Sequence, residues 1–274
     1  MNYRHSYHAG GFSDVFKHIL LVSLIEFLLR KDKPFCYVDT HAGVGVYNLS
    51  SANALKTQEF KGGINKLLQL KNVPFEVVKQ YLTLLSLPFY PGSPLFVRKL
   101  LRPTDRMILT ELHAQDILSL KKLFAYDKQV AVHHLDGYQG LKAFLPPKEK
   151  RGLVLIDPPF EETDEFSTLV TQLKFALQRW STGVYAVWYP IKNLKEVNRF
   201  YSDLVDAGIQ NILRCELHLP YLASKNFSAC GMIVINPPWQ WKEEVEQILP
   251  WLCEVLSAPD AGKWVVDWVA EGGL

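Results

Sequence analysis

The segment Ile156-Asp-Pro-Pro-Phe160 follows an apolar run and carries residue types that could hold an amine for chemistry. The two prolines stiffen the turn, which leaves backbone carbonyls in fixed directions. The Asp157 carboxylate and the Pro158 carbonyl could accept both N–H donors of an adenine amine, so that its lone pair would face an electrophilic methyl group. Phe160 offers a flat face on which an extruded base could stack. The motif therefore predicts these three residues as catalytic, and the alternative is a rigid structural turn.

A second motif of the same kind, Asn236-Pro-Pro-Trp239, follows a later apolar segment, residues 232–235. If that strand is the antiparallel member of a closing hairpin, Asn236 emerges at the edge of the sheet opposite the cofactor. Ligands in doubly wound sheets lie outside the carboxyl ends of the parallel strands. We therefore interpret Asn236 as structural and favour Asp157.

Three strand ends could hold a nucleoside-containing cofactor. The turn that contains Gly43 lacks the third glycine of a dinucleotide fingerprint, because Asn48 occupies that position. Such a turn suits a cofactor with an amino-acid moiety and a ribose better than one with a pyrophosphate. Glu111 ends the next strand and could accept ribose hydroxyls, or it could cap a helix. Asp136 precedes Gly137 and could accept a hydrogen bond from the adenine of a cofactor, although Asp-Gly is also common in turns.

Two basic stretches could follow the phosphates of a nucleic acid. Residues 3–8 mix cationic and aromatic side chains, and residues 142–151 hold four basic side chains against Glu149. Both suit an RNA partner, and both could equally be ordinary solvated loops. The net charge of +2 permits such a partner without indicating it.

The elements that must position these residues alternate between strands and helices. This alternation predicts a mostly parallel sheet with helices on both faces, in which the last two strands form a hairpin because no helix separates them. The strand segments are residues 34–39, 106–110, 130–135, 152–156, 183–188, 212–219 and 232–235. The fold class is thus α/β, with a Rossmann-like layout of the kind that S-adenosylmethionine-dependent methyltransferases have.

The alternation breaks between residues 47 and 91, where two segments, residues 60–70 and 74–87, have helical character. We interpret residues 48–90 as a small helical insertion subdomain, and residues 1–47 and 91–274 as the methyltransferase domain. No apolar run approaches the roughly 20 residues of a membrane span, and no apolar segment follows a basic start as in a secretory signal. The four cysteines are scattered without a CxxC pair. These features predict a cytoplasmic protein with no membrane partner and no metal.

Several sequence blocks occur together in an order that matches a known family. They are His5-Ser-Tyr-His-Ala-Gly10, Asp14-Val-Phe-Lys-His18, Asp39-Thr-His-Ala-Gly43, Tyr90-Pro-Gly-Ser-Pro94, Thr110-Glu-Leu-His113, Asp136-Gly137, Ile156-Asp-Pro-Pro-Phe160, Trp188-Tyr-Pro190 and residues 231–239. Over essentially its whole length the chain resembles the J-type 23S ribosomal RNA adenine-N6 methyltransferase (RlmJ) family. The resemblance implies S-adenosylmethionine as methyl donor and a Rossmann-like fold with a helical insertion.

The resemblance also implies roles for individual residues. Cofactor contacts fall on His18, His41, Ser93, Glu111, Asp136, Gly137 and Asp157. It makes Asp157 the catalytic acceptor and places Tyr3 against the RNA, and we add His5 and Lys17 as RNA-side candidates. Phe160 departs from the tyrosine that is common in such motifs, so stacking is kept and a hydroxyl is lost.

The expected function is methylation of the N6 amine of an adenine in 23S ribosomal RNA, either as naked RNA or in an early assembly particle. No obligatory protein partner is implied. One alternative is that the same site methylates adenine in DNA or another RNA, or a small molecule. A non-catalytic RNA-binding assembly factor is the other, and the presence of Asp157 and Glu111 argues against it.

Overall fold

The computed structural model describes residues 4–220, 228–258 and 261–272. Its main sheet has eight strands, in the spatial order β10-β8-β9-β7-β6-β1-β4-β5. The strands are β1 (Cys36–Asp39), β4 (Arg106–Glu111), β5 (Val130–His134), β6 (Gly152–Ile156), β7 (Val184–Pro190), β8 (Ile212–His218), β9 (Ala229–Ile235) and β10 (Lys263–Ala270). Two short strands, β2 (Val46–Asn48) and β3 (Phe89–Pro91), pair separately.

The five adjacent strands β7, β6, β1, β4 and β5 are parallel, and β9 runs antiparallel to both β7 and β8. The predicted α/β class, the parallel sheet and the closing hairpin are therefore confirmed. Every residue of β1 and β6 is buried, as expected for central strands covered on both faces. This order is a Rossmann-like methyltransferase sheet with one extra edge strand, β10, which the sequence did not predict.

Eleven helices lie in the described ranges, and one 3₁₀ turn (His5–Tyr7) precedes them. They are α1 (Phe12–Leu29), α2 (Ala52–Thr57), α3 (Glu59–Gly62), α4 (Ile64–Leu68), α5 (Glu76–Thr83), α6 (Ser93–Leu100), α7 (Asp116–Leu123), α8 (Gly137–Phe144), α9 (Glu165–Arg179), α10 (Leu194–Asp206) and α11 (Trp241–Leu256). Apolar residues of α1, α5, α6, α7 and α11 form the core on one face of the sheet. Residues of α8, α9 and α10 form the core on the other face.

The segment between β2 and β3 folds differently from its prediction in detail. Instead of two long helices it forms the four short helices α2 to α5, because Gln58 and Gly63 adopt backbone angles that a helix cannot continue through. The antiparallel pairing of Asn48 with Phe89 brings the two ends of the segment together. The chain of an inserted subdomain leaves the main fold and returns to it at neighbouring points, as this segment does. The residue bounds of the subdomain stay a prediction.

Helix α1 is almost entirely buried, and it lies between the sheet and the helices of the segment 48–90. Its first turns carry Asp14, Lys17 and His18, all three with less than a tenth of their surface exposed. Polar residues buried to this degree require partners. Within the described ranges no helix has the length and apolar character that crossing a membrane requires.

Candidate active site

A cleft of about 730 Å³ opens where the parallel strands end, between the sheet, the first turns of α1 and the N-terminal segment. It gathers most of the residues that the sequence singled out. Those that line it are His5, Lys17, His18, His41, Gly43, Ser93, Glu111, Asp157, Pro158 and Phe160. Asp136 and Gly137 are not among the lining residues, and Tyr3 lies outside the described residues.

The glycine turn after β1 is fastened to the end of β4. Gly43 has a positive φ of 61°, and its backbone N–H donates to Glu111 Oε2 at 2.8 Å. The other carboxylate oxygen of Glu111 accepts from the backbone N–H of His113 at 2.7 Å. A Cβ at Gly43 would lie 2.4 Å from the Tyr47 hydroxyl, and the left-handed backbone there also favours glycine. The carboxylate predicted to meet a ribose thus stands beside the turn predicted to pass the cofactor.

Asp39 is fully buried directly before this turn and organises three neighbours. It accepts hydrogen bonds from the Tyr37 hydroxyl at 2.7 Å, from the Ser93 hydroxyl at 2.7 Å and from the His41 backbone N–H at 3.2 Å. Burial raises the pKa of Asp39 to about 6. Burial also lowers the pKa of His41 to about 4, so that its imidazole is neutral at pH 7. Ser93 and His41 therefore sit at fixed positions in the cleft wall.

His18 is a buried histidine with one ring nitrogen left over. It is only 1% exposed, and its Nδ1 pairs with the Tyr90 hydroxyl at 2.9 Å. Its Nε2 has no hydrogen-bond partner among the described residues. Burial holds the pKa of His18 well below its ordinary value, so the ring is neutral. A buried polar atom in a cleft wall without a partner is what a ligand's polar group would satisfy.

Asp136 and Gly137 form the N-terminus of α8, directly against the turn that holds His41. The Asp136 side chain caps the helix by accepting from the Gln139 N–H at 2.9 Å. A Cβ on Gly137 would lie 2.4 Å from the Thr40 carbonyl oxygen and 2.8 Å from His41 Cε1. Glycine is therefore required for the close approach of α8 to β1. The capping hydrogen bond and the predicted contact with adenine would both use the Asp136 carboxylate. A carboxylate has two oxygens, so it can accept both hydrogen bonds.

Asp157, at the end of β6, is paired with a buried lysine from α1. Lys17 Nζ lies 2.6 Å from Asp157 Oδ2 and 3.1 Å from Asp14 Oδ1, and only 5% of Lys17 is exposed. The sequence interpretation placed Lys17 on the RNA side of the site. The structure places it against Asp157, because α1 packs across the end of the sheet and reaches the carboxylate there, and its contact with RNA stays a prediction.

Asp14 is the second carboxylate that contacts Lys17. Its Oδ2 accepts from the Gly10 N–H at 3.0 Å and lies 2.9 Å from His5 Nε2. Although burial opposes its ionisation, the neighbouring His5 and Lys17 hold the pKa of Asp14 well below its usual range. His5 also packs against the ring of Tyr47, at 4.8 Å between centroids. The N-terminal segment is thus tied to the same charge network as Asp157.

Phe160 stands at the mouth of the cleft with a positive φ of 49°. Its ring packs against Phe166 at 5.1 Å and against Trp188 at 6.2 Å between centroids. Trp188 in turn lies 5.9 Å from Lys17 Nζ. The turn of Asp157, Pro158 and Phe160 therefore has an aromatic wall beside its carboxylate, which suits a flat base.

Asn236 behaves as the sequence interpretation expected. Its side-chain amide donates to the carbonyl oxygens of Ser181 and Gly183, and it does not line the cleft. It follows β9, which is antiparallel to β7, and so it lies at the opposite edge of the sheet. The second Pro-Pro motif therefore does not contribute Asn236 to the cleft.

Three residues of the site were missed from the sequence as site residues: Asp14, Asp39 and Trp188. Asp14 and Lys17 are three positions apart on one helix, a spacing that places them on one face and that could have identified the pair. Asp39 stood at a strand end beside the glycine turn. No spacing signal connects Trp188 with Phe160, since their contact depends on how β6 and β7 pair.

Comparison with known proteins gives the family context of this site. A model of the family described as "Ribosomal RNA large subunit methyltransferase D, RlmJ" matches residues 32–270. Two relatives are each named "Ribosomal RNA large subunit methyltransferase J". The one from Haemophilus influenzae is 42% identical over 278 residues, covering 98% of this chain and 99% of its own length. The one from Escherichia coli K12 is 43% identical over 276 residues, with the same two shares of 98% and 99%.

Among solved structures, the crystal structure of a protein from Legionella pneumophila is similar over nearly the entire chain. The TM-score is 0.88 at 37% sequence identity, and the match covers 95% of this chain and 98% of that one. The overall arrangement of strands and helices described above thus has a close experimental counterpart.

Proposed function

Because the chain belongs to the RlmJ family of ribosomal RNA large subunit methyltransferases, we propose that it transfers a methyl group from S-adenosylmethionine to the N6 amine of an adenine in 23S ribosomal RNA. One observation carries the proposal for this site. Asp157 follows β6, adjacent in the sheet to β1 and its glycine turn, in a cleft large enough for a nucleoside cofactor and a base together.

The wall formed by β1, β4 and α8 suits the cofactor. Glu111 offers a carboxylate to ribose hydroxyls, and Asp136 offers one to the adenine amine. The free Nε2 of His18 and the Ser93 hydroxyl can meet the polar groups of the methionine moiety. When bound, S-adenosylmethionine supplies an electrophilic methyl group on a sulfonium.

The target amine is held by the turn after β6. Lys17 occupies Oδ2 of Asp157, so the amine donates one N–H to Oδ1 and the other to the Pro158 carbonyl. Two accepted hydrogen bonds turn the nitrogen lone pair away from the acceptors and towards the methyl donor. Lys17 fixes the rotamer of this carboxylate, and thus acts as a positioning residue.

The target base must leave its stack to reach this turn. Phe160, backed by Phe166 and Trp188, provides the face on which the extruded adenine stacks, a contact of about 1–3 kcal/mol. Positive charge that develops on the amine nitrogen is stabilised by Asp157. Most of the rate enhancement comes from positioning, and the proton of the methylated amine passes to Asp157 or to water.

The test is incubation with methyl-labelled S-adenosylmethionine and one of three substrates, followed by digestion to nucleosides. The substrates are protein-free large-subunit RNA without modifications, an early assembly particle and duplex DNA. Label recovered as N6-methyladenosine from either RNA substrate supports the proposal and identifies the form of RNA used. Label in DNA alone, or no label in any nucleic acid despite cofactor binding, contradicts it. An rRNA substrate also implies that the protein acts in the cytoplasm.

A further inference from the structure

The edge of the sheet opposite the cleft carries a concentration of exposed lysines. It is formed by the amino ends of the four adjacent strands β6, β1, β4 and β5 and by the end of α7. We call this surface the basic edge and define it by the exposed residues Lys31, Lys33, Lys122, Tyr126, Lys128 and Lys150. It includes part of the second basic stretch seen in the sequence, which the cleft does not use.

The loops of the basic edge are fastened to each other, so their lysines form one surface. The Arg102 guanidinium donates to the carbonyl oxygens of Lys31 and Lys33 at 3.0 and 2.8 Å. Arg151 donates to the same Lys33 carbonyl oxygen at 2.6 Å, which ties the loop before β6 to the loop before β1. The Gln129 amide donates to the Arg102 carbonyl oxygen at 2.6 Å and thereby adds the loop before β5. The backbone carbonyls of Lys31 and Lys33 are thus used in hydrogen bonds between the loops, and the side chains of these two lysines are exposed to solvent.

Acidic residues at this edge do little to cancel the lysines. Asp105 is fully buried against Arg102, Glu149 is paired with Arg106, and Asp127 is paired with Arg98. Asp32 is exposed and lies 3.6 Å from Arg102. Since the whole chain has a net charge of only +2, the basic edge is a local excess of positive charge.

Tyr126 adds a feature that charge alone does not explain. It is 99% exposed, and it borders an open depression of about 480 Å³ whose lining includes Lys122, Lys128 and Arg98. An exposed aromatic ring between cations is the combination that stacks an unpaired base while its phosphates meet the charges.

Helix α7 provides a route from the cleft to this depression. Asp116, at its first residue, lines the cleft, and Lys122, near its last, lines the depression. A helix of this length spans about 12 Å, the distance of a few nucleotides. An RNA strand that leaves the cleft along α7 therefore reaches Tyr126 and then the lysines beyond it.

We propose that the basic edge binds the phosphate backbone of the substrate RNA outside the target site, with Tyr126 stacking an unpaired base. The proposal rests on the proposed function, since it concerns the same RNA. Binding of phosphates at the basic edge makes the protein's affinity for a long RNA exceed its affinity for the target segment alone. Each lysine–phosphate contact releases a counterion and thereby adds to the free energy of binding.

The test compares the variant Lys33→Glu/Lys150→Glu with the control Lys174→Glu/Arg199→Glu. The control makes the same change of charge at exposed positions on α9 and α10, which carry no residue of the basic edge. Fluorescence anisotropy measures binding of each protein to two labelled RNAs over a range of salt. One is a hairpin of about ten base pairs around the target adenine, and the other is a large-subunit fragment several times longer. Thermal unfolding verifies that all variants fold.

We expect the basic-edge variant to bind the long RNA about tenfold more weakly, with a slope of log K against log salt that is smaller by about two. The affinity of the basic-edge variant for the hairpin should change less than twofold. The affinities of the control variant for both RNAs should also change less than twofold. A Tyr126→Ala variant should weaken binding of the long RNA alone. Unchanged affinity of the basic-edge variant for the long RNA, or an equal loss in the control, would overturn the proposal. Because binding is read without turnover, a failure of methylation in the same samples would count against the proposed function only.

Discussion

At the scale of single residues, the proposed chemistry rests on Asp157 and its contact with Lys17. The carboxylate accepts from Lys17 on one oxygen, and the lysine is shared with Asp14 beneath it, so one buried cation balances two carboxylates. His5 provides a second partner for Asp14. The sequence indicated Asp157 by its motif, whereas the role of Lys17 as its partner depends on helix packing.

We expect Asp157→Ala to lower kcat at least 100-fold, because the amine loses its acceptor and the developing charge loses its counter-charge. Asn236→Ala is the matched control, since it removes the polar residue of the other Pro-Pro motif. That control should lower the melting temperature, through loss of two hydrogen bonds to backbone carbonyls, and leave kcat within twofold. Single-turnover methylation and thermal unfolding measure the two effects. Near-native turnover of Asp157→Ala would refute its catalytic role.

Lys17→Met should lower both stability and turnover, for separable reasons. It removes the ammonium group 3.1 Å from the buried Asp14 carboxylate, which costs about 3 kcal/mol of unfolding free energy, and it frees Asp157 to change rotamer. The double variant Asp14→Asn/Lys17→Met should recover part of the stability, while kcat stays low because Asp157 still lacks its partner. Urea unfolding and kcat measurements check both. If the double variant recovered full turnover, Lys17 would act only through stability.

At the scale of elements, the cofactor wall depends on how closely α8 approaches β1. Gly137 permits this approach, and Gly43 permits the turn that Glu111 holds. The sequence suggested both glycines as part of a cofactor site, by a turn motif in one case and by family resemblance in the other. The structure adds the physical reason, which is the absence of room for a Cβ.

Gly137→Ala should therefore raise the Kd for S-adenosylhomocysteine at least tenfold, since the new methyl group would push α8 away from Thr40 and His41. Gly62→Ala is the control, because a Cβ there meets nothing within 4 Å. Its Kd should stay within twofold of the unchanged protein. Isothermal titration calorimetry measures both values, and tight binding by Gly137→Ala would show that the approach of α8 is not required.

The elements between β2 and β3 were the least predictable part of the fold. Their helical character could be predicted from composition, but their breaks could not. Gln58 adopts a left-handed conformation without being a glycine, and Gly63 lies so close to Gly10 that a Cβ would meet its carbonyl oxygen at 2.2 Å. The close approach of Gly63 follows from packing against the N-terminal segment, which lies some 50 positions away in the chain.

At the scale of the whole molecule, the cleft joins parts that are distant in sequence, so a ligand bound there should stabilise the entire domain. At 100 times its Kd, S-adenosylhomocysteine should add about 2.7 kcal/mol, which raises the melting temperature by roughly 5–10 °C. Differential scanning fluorimetry measures the shift. At the same ligand concentration, the melting temperature of Gly137→Ala should rise much less. Absence of a shift where calorimetry shows saturation would mean that the ligand binds elsewhere.

The sequence by itself determined the class of fold and the closing hairpin, and it predicted Asp157 and the turn at Gly43, which the structure places in one cleft. These follow from local patterns, because apolar runs, prolines and glycines restrict the backbone wherever they occur. Family resemblance then added His18 and Ser93, which spacing did not indicate. Tyr3 lies outside the described residues, and its predicted contact with RNA stays a prediction.

Only the tertiary structure decided which side chains meet. The Lys17–Asp157 pair, the Asp39–Ser93 bond and the Phe160–Trp188 contact join residues from separate elements. Strand order and helix packing, rather than any local preference, bring those elements together. The terminal α11 and β10 were also beyond the sequence prediction, because β10 becomes a strand by pairing with β8, which lies about 50 residues earlier. Local sequence restricts backbone geometry, whereas contact between distant residues is a property of the folded whole.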